Sequence, residues 1–220
     1  KSKSTILKFS IENILFLLKN RVKLIVIACN TSSALALDYL KKIFKIPILG
    51  VIEPGVKKAI KVSKTKRIAV IGTKATVNSK SYENKIFDFD KNVKVFSKAC
   101  PLFVPLVEEG ILEGKLVEHV IDMYLGELKR KKIDTLILGC THYPLLKREI
   151  EKYFKDVYII DSAKEVALYT KEVLTKYGIL SNRKGLGKRS FYVTDDPRGF
   201  VNLAKLFLKR EITSPRVISY

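Results

Sequence analysis

Apolar and polar positions along this chain of 220 residues switch repeatedly between two periods. Between Ser4 and Lys19 the apolar residues Leu7, Ile11, Ile14, Leu15 and Leu18 recur at helical spacing, which predicts a helix with one buried face. KLIVIAC (23–29) is a short unbroken apolar run, the pattern of a strand covered on both faces. Helix is predicted over 32–44, strand over 46–52, a helical turn or two over 57–62, and strands over 67–73 and 93–100. Helix follows over 116–131, strand over 134–139, helix over 145–154 and strand over 157–161. The pattern closes with helix over 163–177, strand over 190–195 and helix over 199–208. Strands alternating with helices of this length predict an α/β fold, with parallel sheets covered by helices.

Two stretches share one plan. KLIVIACNTSSALALDYLKKIFKIPILGV and TLILGCTHYPLLKREIEKYFKDVYIIDS both run strand, Cys, Thr, helix, strand. Cys29 precedes Pro47 by eighteen positions, and Cys140 precedes Tyr158 by the same number. Each Cys is thereby placed at the C-terminal end of a strand and just before a helix, where open α/β sheets bind ligands. The repeat predicts two pseudo-symmetric α/β lobes, each presenting a thiol to a shared cleft.

Composition narrows the setting. The chain is 47% hydrophobic and no apolar run approaches the roughly 18 residues of a membrane span. The basic start KSKSTILKF runs straight into the first amphipathic helix, without the apolar core or cleavage site of a signal peptide. Three widely separated cysteines argue for a reducing compartment rather than a disulfide framework. A cytoplasmic protein without a membrane partner is expected. The formal charge is +20, but only nine of the 42 basic residues are Arg, and the lysines are spread along the chain. Nucleic-acid recognition favours the guanidinium fork, so solvated helix faces explain the lysines better and no nucleic-acid partner is expected.

A thiol beside a helix N-terminus sees the positive end of the macrodipole and free backbone N–H groups, which favour the thiolate. One such Cys suggests a nucleophile. Two in mirrored positions suggest two-base stereoinversion, in which one thiolate takes a proton from carbon while the opposing thiol delivers one to the other face. The carbon acid would be a Cα–H beside a carboxylate. Asn30, Thr31 and Thr141 follow the two cysteines at predicted helix starts, where carboxylates bind. Zinc fits poorly: Cys140 and His142 are spaced too tightly for the usual ligand pairs, and no fourth ligand stands at a sensible distance. NRKGLGKRS (182–190) fails the phosphate-loop pattern at Asn182 and Arg189 and reads as a basic loop. Cys100 reads as core packing and His119 as solvated surface.

ACNTSSA (28–34), VIEPGV (51–56), CPLFVPLVEEG (100–110) and LILGCTHYPLL (136–146) resemble the signature segments of the glutamate racemase family. The similarity runs from Lys1 to about Phe207 and includes VTDDP near the end. The resemblance implies two α/β domains related by pseudo-twofold symmetry, with the active site in the cleft between them. It implies racemisation of glutamate without cofactor or metal, supplying D-glutamate for peptidoglycan. Cys29 would serve D-glutamate and Cys140 L-glutamate. Asn30, Thr31, Thr141 and the paired Thr73 and Thr76 would hold substrate, although Lys74 stands where the family commonly has proline. His142, also a substrate contact, and Glu108 would assist on the Cys140 side, with the adjoining Glu109 as an alternative.

Residues 1–54 with 164–220 would form the first domain and 55–163 the second, with crossings near Pro54 and Ala163. The family's chain opens with a strand, an Asp-Ser-Gly loop and a Tyr-Gly pair, and this sequence starts just after them, so a first domain lacking that strand and loop is expected. A homodimer is expected. Two other readings stay open: an aspartate racemase-type isomerase, against which the His of CTHYP argues, and a catalytically impaired scaffold with a basic binding surface.

Overall fold

The computed structural model describes residues 2–185 and 187–219. Lys1, Leu186 of the basic loop and Tyr220 at the end of the first expected domain lie outside the described residues. Helix α1 (Lys3–Lys19), capped by Ser2, leads into β1 (Ile25–Ile27). The single helix expected over 32–44 is two, α2 (Asn30–Leu35) and α3 (Leu37–Ile43), because the backbone leaves helical geometry at Ala36. Strand β2 (Ile48–Gly50) ends early, since Ile52 already begins α4 (Ile52–Val62). Pro54 fits there because a proline is tolerated in the first helical turn.

After β3 (Arg67–Gly72) come α5 (Lys74–Asn78) and α6 (Ser81–Phe89), which like the helix at Phe103–Glu108 are absent from the sequence expectations, and then β4 (Lys94–Ala99). Helices α7 (Phe103–Glu108) and α8 (Lys115–Arg130) lead to β5 (Thr135–Gly139). A 3-10 turn (Tyr143–Leu146) and α9 (Lys147–Tyr153) precede β6 (Tyr158–Asp161) and α10 (Ser162–Lys176). The chain ends with β7 (Tyr192–Val193), α11 (Pro197–Leu208) and β8 (Arg216–Val217).

All the described sheets are parallel: β1–β2, the four-stranded β4-β3-β5-β6, and the short β7–β8 pair. Every residue of β5 is buried. Its side chains alternate between two cores, as strand geometry requires. Leu136 and Leu138 join Phe103, Ile121, Tyr143 and Ile150 on the face covered by α7, α8 and α9, whereas Ile137 joins Val56, Ala59 and Ile86 under α4 and α6. A third core unites α1, β1, β2 and α3 through Ile14, Ile25, Leu40 and Ile48.

The repeat has a structural counterpart. Ile25 pairs with Ile48 and Thr135 with Tyr158, so in both units the partner strand lies twenty-three positions on. The two strands differ in cover. Val26 in β1 is exposed, against the expectation that 23–29 is covered on both faces. Its side faces a cavity of about 680 Å³ also lined by Phe16, Tyr192 and Phe200. Helices therefore cover β5 on both faces, whereas β1 has an open side.

Candidate active site

The chain runs from β3 out to β4 on one side and returns to β5 on the other, so the C-terminal ends of β3 and β5 frame a crevice. This is the topological switch point where open α/β sheets bind ligands. From β3 it receives Thr73 and, one helical turn on, Thr76. From β5 it receives Cys140, Thr141 and His142. Close approach of the strands here requires glycine: a Cβ at Gly139 would lie 2.7 Å from the Ile71 carbonyl oxygen, and one at Gly72 would lie 3.2 Å from that of Gly139.

Opposite them stands the start of α2. Cys29 caps this helix and is exposed, while Asn30 is only 3% accessible. Thr31 reaches across to the β3 end: its Oγ1 lies 3.0 Å from Thr73 Oγ1 and 3.1 Å from Thr76 Oγ1, and those two are 3.1 Å apart. Three hydroxyls in a triangle can redistribute their protons to face an arriving carboxylate. Asn30 Oδ1 accepts a hydrogen bond from Tyr82 Oη at 2.6 Å, whereas Asn30 Nδ2 is buried with no partner among the described residues. A buried donor left without an acceptor is costly, and the side chain lines a cavity of about 750 Å³ together with Cys140, Thr141 and His142.

On the Cys140 side stand the residues expected to assist with acid–base chemistry. Cys140 Sγ lies 3.9 Å from His142 Nδ1, which is also 3.3 Å from Thr141 Oγ1. His142 Nε2 meets Glu108 Oε1 at 3.3 Å. Glu108, at the last position of α7, makes this contact; Glu109 caps the helix instead. Burial pushes the Cys140 thiol up to about 11, against the pull of the His142 and Tyr143 backbone N–H groups and the Thr141 hydroxyl, and negative charge on Cys29 adds to the rise. The expectation that a helix start would favour the thiolate thus fails for Cys140. It precedes a 3-10 turn rather than an α-helix, and desolvation outweighs the amides around it. The same placement puts Thr141 in a bend, not at an α-helix N-terminus.

Cys140 responds to charge on Cys29, and the two thiols line adjoining cavities. Cys29 lines the 680 Å³ cavity with Tyr192, Thr194 and Asp195, and Cys140 the 750 Å³ one; Ala28 and Phe200 belong to both walls. Cys100 is fully buried behind Cys140, its carbonyl accepting a bond from Tyr143 Oη, and His119 is exposed. Sequence reasoning missed Tyr82, Ser162 and Phe207. The first two form a buried hydroxyl chain, and the ring of Phe207 on α11 stands edge-on to His142 at 6.3 Å. Nothing local distinguishes a buried Tyr or Ser of this kind from core, or the exposed Phe207 from the rest of the apolar face of its helix. Among the described residues no three His, Cys, Asp or Glu side chains converge as a metal site, and no helix is long and apolar enough to cross a membrane.

Residues 10–170 match the family model described as Asp/Glu/Hydantoin racemase. Glutamate racemase of Aquifex aeolicus is 47% identical over 219 residues, an alignment covering 100% of this chain and 82% of that one. A crystal structure of a glutamate racemase isoform from Bacillus anthracis superposes with a TM-score of 0.95 at 38% identity, covering 100% of this chain and 82% of its own. That of the Francisella tularensis glutamate racemase in complex with D-glutamate superposes with a TM-score of 0.92 at 39% identity and the same coverage. With nearly half its residues shared along its whole length with one such enzyme, the chain belongs to the glutamate racemases, within the family of aspartate, glutamate and hydantoin racemases.

Proposed function

We propose that this chain interconverts L- and D-glutamate without a cofactor, by proton transfer between Cα and two thiols, and so supplies D-glutamate for peptidoglycan. The observation that carries this reading is the pair of cysteines just past the ends of β1 and β5, Cys140 responding to charge on Cys29, with the Thr31–Thr73–Thr76 hydroxyls and the unpartnered Asn30 amide beside them. In the L-to-D direction Cys140, as thiolate, takes the Cα proton, and the Cys29 thiol returns one to the opposite face. In the reverse direction Cys29 is the base, and the proton held by Cys140 goes to carbon.

A thiol held up near 11 keeps its proton at neutral pH, so the thiolate must be generated before Cys140 can act as a base. His142, with Glu108 on its far nitrogen, supports the step in which Cys140 must lose its proton. The Thr31–Thr73–Thr76 triangle, Asn30 and Thr141 hold the substrate carboxylates.

Residues 1–54 with 164–220 form one domain in this reading and 55–163 the other; β1–β2 and β7–β8 fall in the first, and the four-stranded sheet in the second. A homodimer and a cytoplasmic setting complete it, the latter supported by three free cysteines. The spread of lysines over few arginines speaks against a nucleic-acid partner.

The test is proton NMR of L-glutamate with the chain in D2O, with chiral chromatography of the same sample. Loss of the Cα–H signal together with D-glutamate is expected. Cys29→Ala or Cys140→Ala alone should lower inversion by about 10²- to 10⁴-fold. Folded wild-type protein that leaves the Cα–H signal intact would sink the proposal, as would inversion that survives loss of both cysteines.

A further inference from the structure

The acid–base groups leave one buried chain of polar atoms beside the site without a role. Tyr82, on the first turn of α6, is 2% accessible, yet its hydroxyl is not simply buried with the core. It lies 2.6 Å from Asn30 Oδ1 and 3.4 Å from Ser162 Oγ. Ser162 Oγ donates to the Leu138 carbonyl at 3.1 Å, so its own proton is committed. A phenol has a single proton to give, and the shorter contact assigns it to Asn30 Oδ1. The ring is held where it is: a Cβ at Gly139 would come within 3.2 Å of Tyr82 Cε2, so that ring carbon lies close to the backbone just before Cys140. Burial raises the phenol's pKa far above the ordinary value, with Cys140 charge adding to it, so Tyr82 stays a donor at any working pH.

An amide whose oxygen is taken has one orientation left. Its nitrogen must point away from Tyr82, and Asn30 Nδ2 is the one buried side-chain nitrogen or oxygen without a hydrogen-bond partner among the described residues. We infer that Tyr82 is a positioning residue: by occupying Asn30 Oδ1 it locks the amide with its N–H groups free to donate to a substrate carboxylate. Without it the amide can rotate, or turn its oxygen toward the carboxylate and repel it. The inference rests on the proposal that glutamate is the ligand. Tyr82 touches no reacting atom, so it should set substrate affinity more than the chemical step.

The experiment measures the dissociation constant of L-glutamate by isothermal titration for wild type, Tyr82→Phe, Asn30→Ala and the double variant, with thermal melts to confirm folding. Tyr82→Phe should weaken binding about fivefold to tenfold, the effect of a lost orienting hydrogen bond. In the Asn30→Ala background the same change should do nothing further, because a residue that acts only through Asn30 has nothing left to orient. Equal weakening in both backgrounds, or unchanged affinity in Tyr82→Phe, overturns the inference.

Asn30→Asp covers the case in which Tyr82→Phe does not fold. It keeps an oxygen for Tyr82 but replaces the donor by a charged acceptor, so it should bind glutamate more weakly than Asn30→Ala; affinity equal to wild type overturns the inference. Wild-type protein that does not bind glutamate overturns it too. Wild-type protein that binds glutamate but does not racemise it sinks the racemase proposal alone.

Discussion

At the scale of single residues, environment decides chemistry that residue type leaves open. Cys140 and Cys100 are both buried thiols pushed up in pKa, yet one stands beside His142 at the cavity wall and the other in the core. Asp134 shows the opposite balance. Partial burial alone would raise its carboxyl, but Ser63 Oγ, the Thr65 backbone N–H and Thr135 Oγ1 donate to it, and Lys64 N adds a fourth bond, so it falls from 3.8 to about 2. A folded-state pKa below the unfolded one gives stability that is complete above the unfolded value and fades as pH falls from 3.8 toward about 2. Asp134→Ala should therefore lower the urea midpoint at neutral pH, and the gap from wild type should narrow through that acidic window. A gap of constant size across it would remove the carboxylate from the account. None of this was legible in the sequence, where Asp134 is one acidic residue before a strand and its donors at 63–65 lie some seventy positions away.

At the scale of elements, the periodic pattern located most of the helices and strands, because covered strands and amphipathic helices write themselves into short windows. Strands β3, β4 and β5 and helices α8 and α10 lie within a residue or so of expectation. Short polar-rich helices such as α5 and α6 were missed. Thr73 caps α5 by accepting from Thr76 N, but a five-residue helix carries too little periodicity to read. Glycines separate by partner rather than by element. Gly139→Ala would press a methyl against the Ile71 carbonyl of a paired strand and against Tyr82, and should cost about 1–3 kcal/mol. Gly126→Ala, in α8, meets nothing closer than 3.5 Å and should be neutral or stabilise by up to about 1 kcal/mol through helix propensity. Chemical denaturation of the two variants would check this; equal midpoints would refute the strand-contact argument.

At the scale of the whole molecule, a formal charge of +20 sets repulsion against a set of mainly exposed ion pairs such as Lys147–Glu151 and Lys85–Asp88. Salt weakens both, but in opposite senses for stability. Exposed pairs contribute little each, so repulsion should dominate and the urea midpoint should rise between about 10 and 150 mM salt, where the Debye length shortens from about 30 to 8 Å. A falling midpoint would mean the pairs form a stabilising network. The sequence by itself determined the α/β alternation, the repeated placing of a Cys after a strand and the candidate site positions, because periodicity and motif are properties of neighbouring residues. Only the tertiary structure decided that β3 lies between β4 and β5 and opens a crevice there, that Glu108 rather than Glu109 meets His142, that desolvation outweighs the amides at Cys140, and that Tyr82 takes the oxygen of Asn30. Those outcomes depend on which distant segments exclude water from one another, and burial of that kind is set by the packed chain as a whole.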